Sequence, residues 1–231
     1  DLHNVMRSWK IDLRYLLRGV RVAMLDKKRS ERYAITHQHK YTESKFTARY
    51  FDVFRRLGLP CEPQFDGLFD KKPALPLQLT KPENEHWIGI APFARYKNKT
   101  YPASQMQEVI ALLNQTENVR VFLFGGRGEE KATLELWTKE LVNVRCIAGS
   151  LQLHEELALM AWLDVMVSMD SANMHLASLA GVRVVSIWGG TSPACGFLGW
   201  HQEEYNTLLS HCDCQPCTIA GSDECAKGDY H

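Results

Sequence analysis

From Trp87 onward the sequence alternates short apolar runs with stretches of helical period, and nothing else in the chain limits its fold so tightly. The runs at 87–92, 119–124, 144–147, 165–169 and 182–188 are short and rich in Val, Ile and Phe, so they read as strands. Helical patterns fill the gaps at about 102–115, 129–141, 152–162 and 172–180. Such an order predicts an α/β fold, a Rossmann-like parallel sheet with right-handed crossovers and helices on both faces. Ligands of open parallel sheets collect at the carboxyl ends of the strands. The loops that follow the strands are therefore where chemistry is sought.

The most informative loop lies within VSMDSANMHLASLAGVRVVSIWGGTSP, residues 167–193. Asp170, Ser171 and His175 gather at the first turn of a helix that directly follows a strand. A helix start carries unpaired N–H groups and the positive end of the dipole, which suits a phosphate. Gly189, Gly190 and Thr191 would close the far side of a diphosphate pocket as a backbone nest. Plainer roles exist for each residue. Asp170 or Ser171 can cap the helix, His175 can pack as a satisfied core histidine, and the glycines can make an ordinary strand-exit turn. The loop after the first strand offers Lys99 just ahead of Pro102, either as a phosphate partner or as a solvated surface lysine. The loop after the second strand is Gly125-Gly126-Arg127-Gly128-Glu129. Its glycines permit close backbone approach, and Glu129 can bond a ribose or sugar hydroxyl or merely suit the helix dipole. It is not a GxGxxG fingerprint.

The first 60 residues are basic and rich in helix formers. Helices are expected at 5–17 and 44–57, the second with Phe46, Tyr50, Val53, Phe54 and Leu57 on one face and Gly58 and Pro60 as its stop. That aromatic stripe reads as core. A short strand is expected at 20–25 and a polar loop at 27–40. The basic run 27–32 faces an acidic acceptor or is a solvated face. Pro63, Pro73, Pro76 and Pro82 mark 61–86 as a linker, so the expected division is 1–80 and 81–231. Lys plus Arg equals Asp plus Glu at 27 each, which gives no global field for nucleic acid. No apolar run reaches membrane-span length. The chain opens at Asp1-Leu2-His3-Asn4 and reads as a segment of something longer. Of seven cysteines, Cys212, Cys214, Cys217 and Cys225 cluster, with His211 adjacent. Four thiols suit tetrahedral zinc, but the spacing departs from paired CxxC knuckles, and thiols in a turn or a local disulfide are the alternatives.

Together these residues resemble glycosyltransferase family 9, the ADP-heptose:lipopolysaccharide heptosyltransferases. The resemblance rests on Asp170-Ser171-Ala172-Asn173-Met174-His175 with Ala177, Ala180 and Gly181, and on Gly189-Gly190-Thr191 before Pro193. Pro92, Lys99-Thr100-Tyr101-Pro102, Gly125-Gly126 with Glu129, and Cys214-Gln215-Pro216-Cys217 with Cys225 add to it. Ser171-Ala172 stand where the family often has Thr-Gly, and Tyr101 where it usually has Trp. The resemblance implies a GT-B architecture of two Rossmann-like domains. Here the carboxyl-terminal domain would bind the donor, beside a remnant of the acceptor domain whose catalytic base lies upstream of this chain. On this analogy Asp170, Ser171, Ala172 and His175 line the diphosphate and heptose, Lys99 neutralises the phosphates, Glu129 holds the ribose side and Leu151 meets the adenine. The implied reaction is inverting heptose transfer from ADP-heptose to the lipopolysaccharide inner core. It would need no obligatory metal and no nucleic acid, and would run in the cytoplasm, in peripheral contact with the membrane surface, with this segment alone inactive. A GT-B-like sugar-nucleotide epimerase, a non-catalytic nucleotide-sugar-binding module, and a metal-binding domain on the cysteine cluster are the alternative readings.

Overall fold

The structure, a computed structural model, describes residues 1–38, 45–76, 78–210, 212–225 and 227–228 of the 231. It divides into two compact units, Asp1–Phe65 with Ala194–Phe197, and Asp66–Pro193 with Leu198–His231. The division falls at Phe65 rather than near residue 80. Most of the stretch expected as a linker, from Asp66 on, is instead tied down within the larger unit. The Trp162 indole N–H donates to the Pro73 carbonyl at 2.7 Å, and the Leu68 amide to the Leu179 carbonyl at 2.8 Å.

The larger unit is a six-stranded, wholly parallel sheet. Its strands are β1 (His86–Ala91), β2 (Val119–Leu123), β3 (Val144–Cys146), β4 (Val165–Met169), β5 (Val184–Trp188) and β6 (Thr207–Leu209), in the spatial order β3-β2-β1-β4-β5-β6. Five strands match the expected runs to within two residues at each end. The short edge strand β6 was not foreseen. Chain direction across the sheet reverses between β1 and β4, so the crevice at their carboxyl ends is the topological switch point.

Helices α4 (Ala103–Asn114), α5 (Glu129–Thr138), α6 (Leu153–Met160) and α7 (Ala172–Leu179) make the crossovers. Right-handed connections place α4 and α5 on one face and α6 and α7 on the other. Burial on both faces explains why these strands carry apolar runs rather than strict alternation. Ile90, Val121, Leu123 and Met169 pack under Met106 and Ile110 of α4 and Leu134 of α5. On the opposite face the Trp87 and Phe122 rings lie 4.8 Å apart. Gly89 is required there because a Cβ would come within 2.5 Å of Leu163 and Met166.

The smaller unit holds α1 (Met6–Leu16), α2 (Arg29–Gln38) and α3 (Phe46–Arg56). The first and third occupy the expected stretches, although Ser44, the expected start of α3, lies outside the described residues. The aromatic stripe expected as core is not wholly so: Val53 is buried, but Tyr50 and Phe54 are each 36% exposed. Two further expectations are corrected. Residues 20–25 form no strand. They have no regular structure, and the Leu25 amide donates to the Asp1 carbonyl while the Asp1 amino group donates to the Ala23 carbonyl, at 2.8 and 2.6 Å. A β-run becomes sheet only where a neighbour continues the ladder. Residues 29–38 are helical rather than loop, anchored through Ile35, which is 1% exposed.

Candidate functional site

The sheet order brings the expected site residues to one edge. Leu151 follows β3, Glu129 follows β2, Lys99 follows β1, Asp170 to His175 follow β4, and Gly189 to Thr191 follow β5. The edge therefore runs from Leu151 to Thr191 with Lys99 and Asp170 at the switch point.

Asp170 is the centre of the cluster. It is 4% exposed, and its Oδ2 receives the Lys99 ammonium at 2.8 Å and the Thr191 hydroxyl at 2.8 Å. Lys99 ends a 3₁₀ turn, Lys97–Lys99, after β1, and its side chain is 13% exposed. A half-dry ammonium needs an anion close by, which Asp170 provides. An ammonium carries three N–H donors, so one bond to Asp170 leaves donor capacity on the same nitrogen.

Helix α7 starts immediately after Asp170. Ser171 occupies the N-cap position but makes no side-chain capping bond. Its hydroxyl instead lies 3.3 Å from the Ser168 hydroxyl, which donates to the Met169 carbonyl. The capping role considered for Ser171 is thus not taken up, and the first-turn amides keep their capacity toward an incoming acceptor. Ala172 is exposed at the first helical position, which admits an approach to those amides.

His175 sits one turn along α7 and is solvent-exposed. Its pKa is nevertheless pushed below the ordinary imidazole value. Crowding by neighbouring atoms that strips hydration is the main cause, Asp170 opposes it, and Lys99 adds to it. The ring is neutral at pH 7 in this setting.

The glycine pair departs from the expected nest. The Gly190 amide donates to the Asn98 carbonyl at 2.6 Å, and its own carbonyl accepts from the Cys217 and Thr218 amides at 3.1 and 3.0 Å. A Cβ on Gly189 would lie 2.4 Å from the Asn98 carbonyl oxygen, and one on Gly190 would lie 2.3 Å from the Asn98 side-chain nitrogen. The pair is glycine because the β1 loop lies against it. Asn98, 7% exposed, was not singled out from sequence; no spacing rule points to an asparagine whose partners are 92 and 124 positions away.

At the β2 exit Glu129 begins α5 and is exposed, while its neighbour Glu130 folds back to accept from the Gly126 amide at 2.5 Å. Gly128, the N-cap, has φ of 77°, a conformation glycine adopts without strain. Leu151 is 5% exposed.

The cysteine segment docks on the β5 exit. The Gln215 side-chain amide donates to the carbonyls of Trp188, Gly189 and Thr191 at 2.8, 2.8 and 3.1 Å. The Cys212 and Cys214 sulfurs are 3.7 Å apart, and no disulfide joins any of the seven cysteines. Burial first, then Cys212, raises the pKa of Cys214; burial also raises that of Cys217. Among the described residues no group of three or more His, Cys, Asp or Glu converges as metal ligands, and His211 lies outside them.

The sequence profile of glycosyltransferase family 9 (heptosyltransferase) matches residues 4–227, and the chain belongs to that family. A curated relative, lipooligosaccharide heptosyltransferase 2 of Campylobacter jejuni subsp. jejuni serotype O:2, is 25% identical over 225 residues, which cover 90% of this chain and 66% of the relative. Two solved structures share the fold. E. coli heptosyltransferase WaaC with ADP aligns with a TM-score of 0.56 at 17% identity, over 77% of this chain and 54% of its own. The family 9 glycosyltransferase of Veillonella parvula aligns with a TM-score of 0.56 at 18% identity, over 74% and 51%. The chain thus spans about two thirds of the curated relative and about half of these structures. No helix among the described residues is long and apolar enough to cross a membrane.

Proposed function

We propose that this chain carries the nucleotide-sugar-binding half of an inverting heptosyltransferase that moves a heptose from ADP-heptose to an inner-core lipopolysaccharide sugar. One observation carries the reading: the Lys99–Asp170 pair stands beside the side-chain-uncapped start of α7, at the switch point between β1 and β4. That is where an open parallel sheet receives a diphosphate. The E. coli relative was solved with ADP, and another E. coli WaaC structure with ADP-2-deoxy-2-fluoro heptose, which supports a donor of the same class.

In this reading the diphosphate lies between the Lys99 ammonium and the first amides of α7. The adenosine extends along the sheet edge toward Glu129 and Leu151. The heptose lies near Ala172 and His175. An acceptor hydroxyl attacks the anomeric carbon, its proton goes to a carboxylate base outside this chain, and the bond to the diphosphate breaks. Negative charge grows on the departing phosphate oxygen. Lys99 and the helix start stabilise that charge with fixed groups, so little reorganisation is needed. Asp170 holds the lysine in place, and Thr191 holds Asp170. The thiols of 212–225 take no part in this chemistry, and no bound metal is required for it.

Calorimetric titration of the intact protein with ADP-heptose, and with UDP-sugars for contrast, tests the reading. ADP-heptose binding is expected to saturate, and Lys99→Ala to weaken it by about a hundredfold, as for a desolvated charge contact. Equal affinity in wild type and Lys99→Ala would overturn the site.

A further inference from the structure

The residues that hold Lys99 in place come from three distant parts of the chain, and they meet at one side chain. Asn98 directly precedes Lys99 and is almost wholly buried. Its backbone carbonyl accepts from the Gly190 amide at the β5 exit. Its backbone amide donates to the Ser222 carbonyl at 3.2 Å, and its side-chain oxygen accepts from the Ser222 amide at 2.8 Å. Its side-chain nitrogen lies against Gly190 and 3.9 Å from the Cys217 sulfur. One residue thus closes a three-way latch between the β1 loop, the β5 exit and the cysteine-bearing tail.

The tail does more than rest on this latch. A Cβ on Gly221 would come within 2.5 Å of the Lys99 Cδ and of the Tyr96 ring, so the lysine stem passes directly beneath the Gly221 backbone. Gly221 has φ of 102°, which a residue with a side chain rarely adopts. On the other side the Lys97 amide donates to the Asp223 carboxylate at 3.2 Å. A four-carbon flexible stem is thereby confined between its own loop and the tail, with its ammonium on Asp170.

We infer that Asn98 is a positioning residue for the donor site, and that the tail from Gln215 to Asp223 acts through it to hold the Lys99 ammonium where a diphosphate oxygen arrives. The inference rests on the donor reading above and adds a part to it. A lysine alone loses considerable rotamer entropy when it is fixed on a ligand. The latch removes that freedom before the ligand binds, so more of the contact energy appears as affinity. The glycines at 189, 190 and 221 are then explained together, since each gives way to Asn98 or to Lys99.

The test is a double-mutant cycle in the intact protein, read by ADP-heptose titration and by steady-state kinetics. Asn98→Ala is expected to weaken ADP-heptose binding by about tenfold. The double variant with Lys99→Ala should be no weaker than Lys99→Ala alone, because a positioning residue has nothing left to position. Full additivity of the two losses would overturn the inference, as would an Asn98→Ala variant with wild-type affinity. If Lys99→Ala itself leaves affinity unchanged, the donor reading falls instead, so the two failures are distinguishable. Should Asn98→Ala not fold, Gly221→Ala approaches the same stem from the tail. It is expected to weaken donor binding only while Lys99 is present, and an equal loss in the Lys99→Ala background would count against the latch.

Discussion

The two units are built from similar sequence patterns yet bury them to very different degrees. In the larger unit every parallel strand from β2 through β5 has a neighbour on each edge or a covering helix, and Trp87, Phe122, Leu123 and Trp188 are at most 1% exposed. The smaller unit has three helices, of which α1 and α3 show an amphipathic pattern, and no strand among its described residues. Its buried apolar set is Ala23, Leu25, Ile35 and Val53, with Cys195, while Met6 and Leu17 are each 78% exposed and Trp9 is 53% exposed. Periodicity makes an amphipathic helix legible, but a face is stabilised only when something covers it. The site chemistry follows the same contrast. Asp170 and Lys99 are held by hydrogen bonds to a rigid sheet edge, a condition the smaller unit does not meet.

The largest expected effect measures that contrast directly. Phe122→Ala should cost about 3–5 kcal/mol by emptying a well-packed site. Trp9→Ala, an equally drastic truncation, should cost only about 1 kcal/mol, because Trp9 is already 53% exposed and its indole N–H donates to the Asn4 side-chain oxygen at 3.0 Å. Urea unfolding of the two variants reads both. If Trp9→Ala proves as costly as Phe122→Ala, α1 has a covered face and the comparison collapses.

What could be read from sequence, and what could not, divides along the same line. The four inner strands β2, β1, β4 and β5 were legible because burial on both faces forces continuous apolar runs. That Asp170, Ser171 and His175 fall where a strand passes into a helix was legible because such a junction is a local event. Helix α2 was not, since its apolar anchor within a polar run is Ile35. Residues 20–25 look like a strand, but among the described residues their backbone pairing with Asp1 does not extend into a ladder. That Glu130 reaches back to Gly126 is a choice of rotamer that spacing does not encode. Asn98 and Gln215 were invisible for a deeper reason: their importance lies in backbone groups far away in sequence. The adjacent glycines at 189 and 190 were the available signal, since a Cβ at the first would meet the Asn98 carbonyl and at the second its side chain.

A smaller effect sharpens the view of the sheet edge as a rigid support. Thr191 is fully buried and donates to Asp170. Thr191→Val keeps the volume and removes a bond to a charged acceptor, so stability should fall by about 1.5–3 kcal/mol. Thermal unfolding checks the loss. Donor affinity should fall much less than in Lys99→Ala, because the ammonium still has its carboxylate. A collapse of affinity to the Lys99→Ala level would mean that Thr191 meets the donor itself.

The smallest effect is expected at His175, and it has a sign that can be worked out. Lost hydration keeps the folded pKa of this ring low, against the pull of Asp170. Stability from the neutral ring is therefore full above the unfolded value of about 6.5 and is lost as pH falls through the lowered folded value. A bound diphosphate adds negative charge and moves the balance toward the protonated ring. Both phosphates of ADP-heptose are esterified, so the ligand contributes no titrating proton in this range. Affinity for ADP-heptose should thus rise by about two- to fivefold as the pH is lowered from about 7.5 to about 5.5, and stay flat in His175→Gln. A flat wild-type profile would place the ring away from the phosphates. A slope that survives in His175→Gln would move the titrating group off the sheet edge. The assignment of ligand chemistry to this unit alone would then no longer hold.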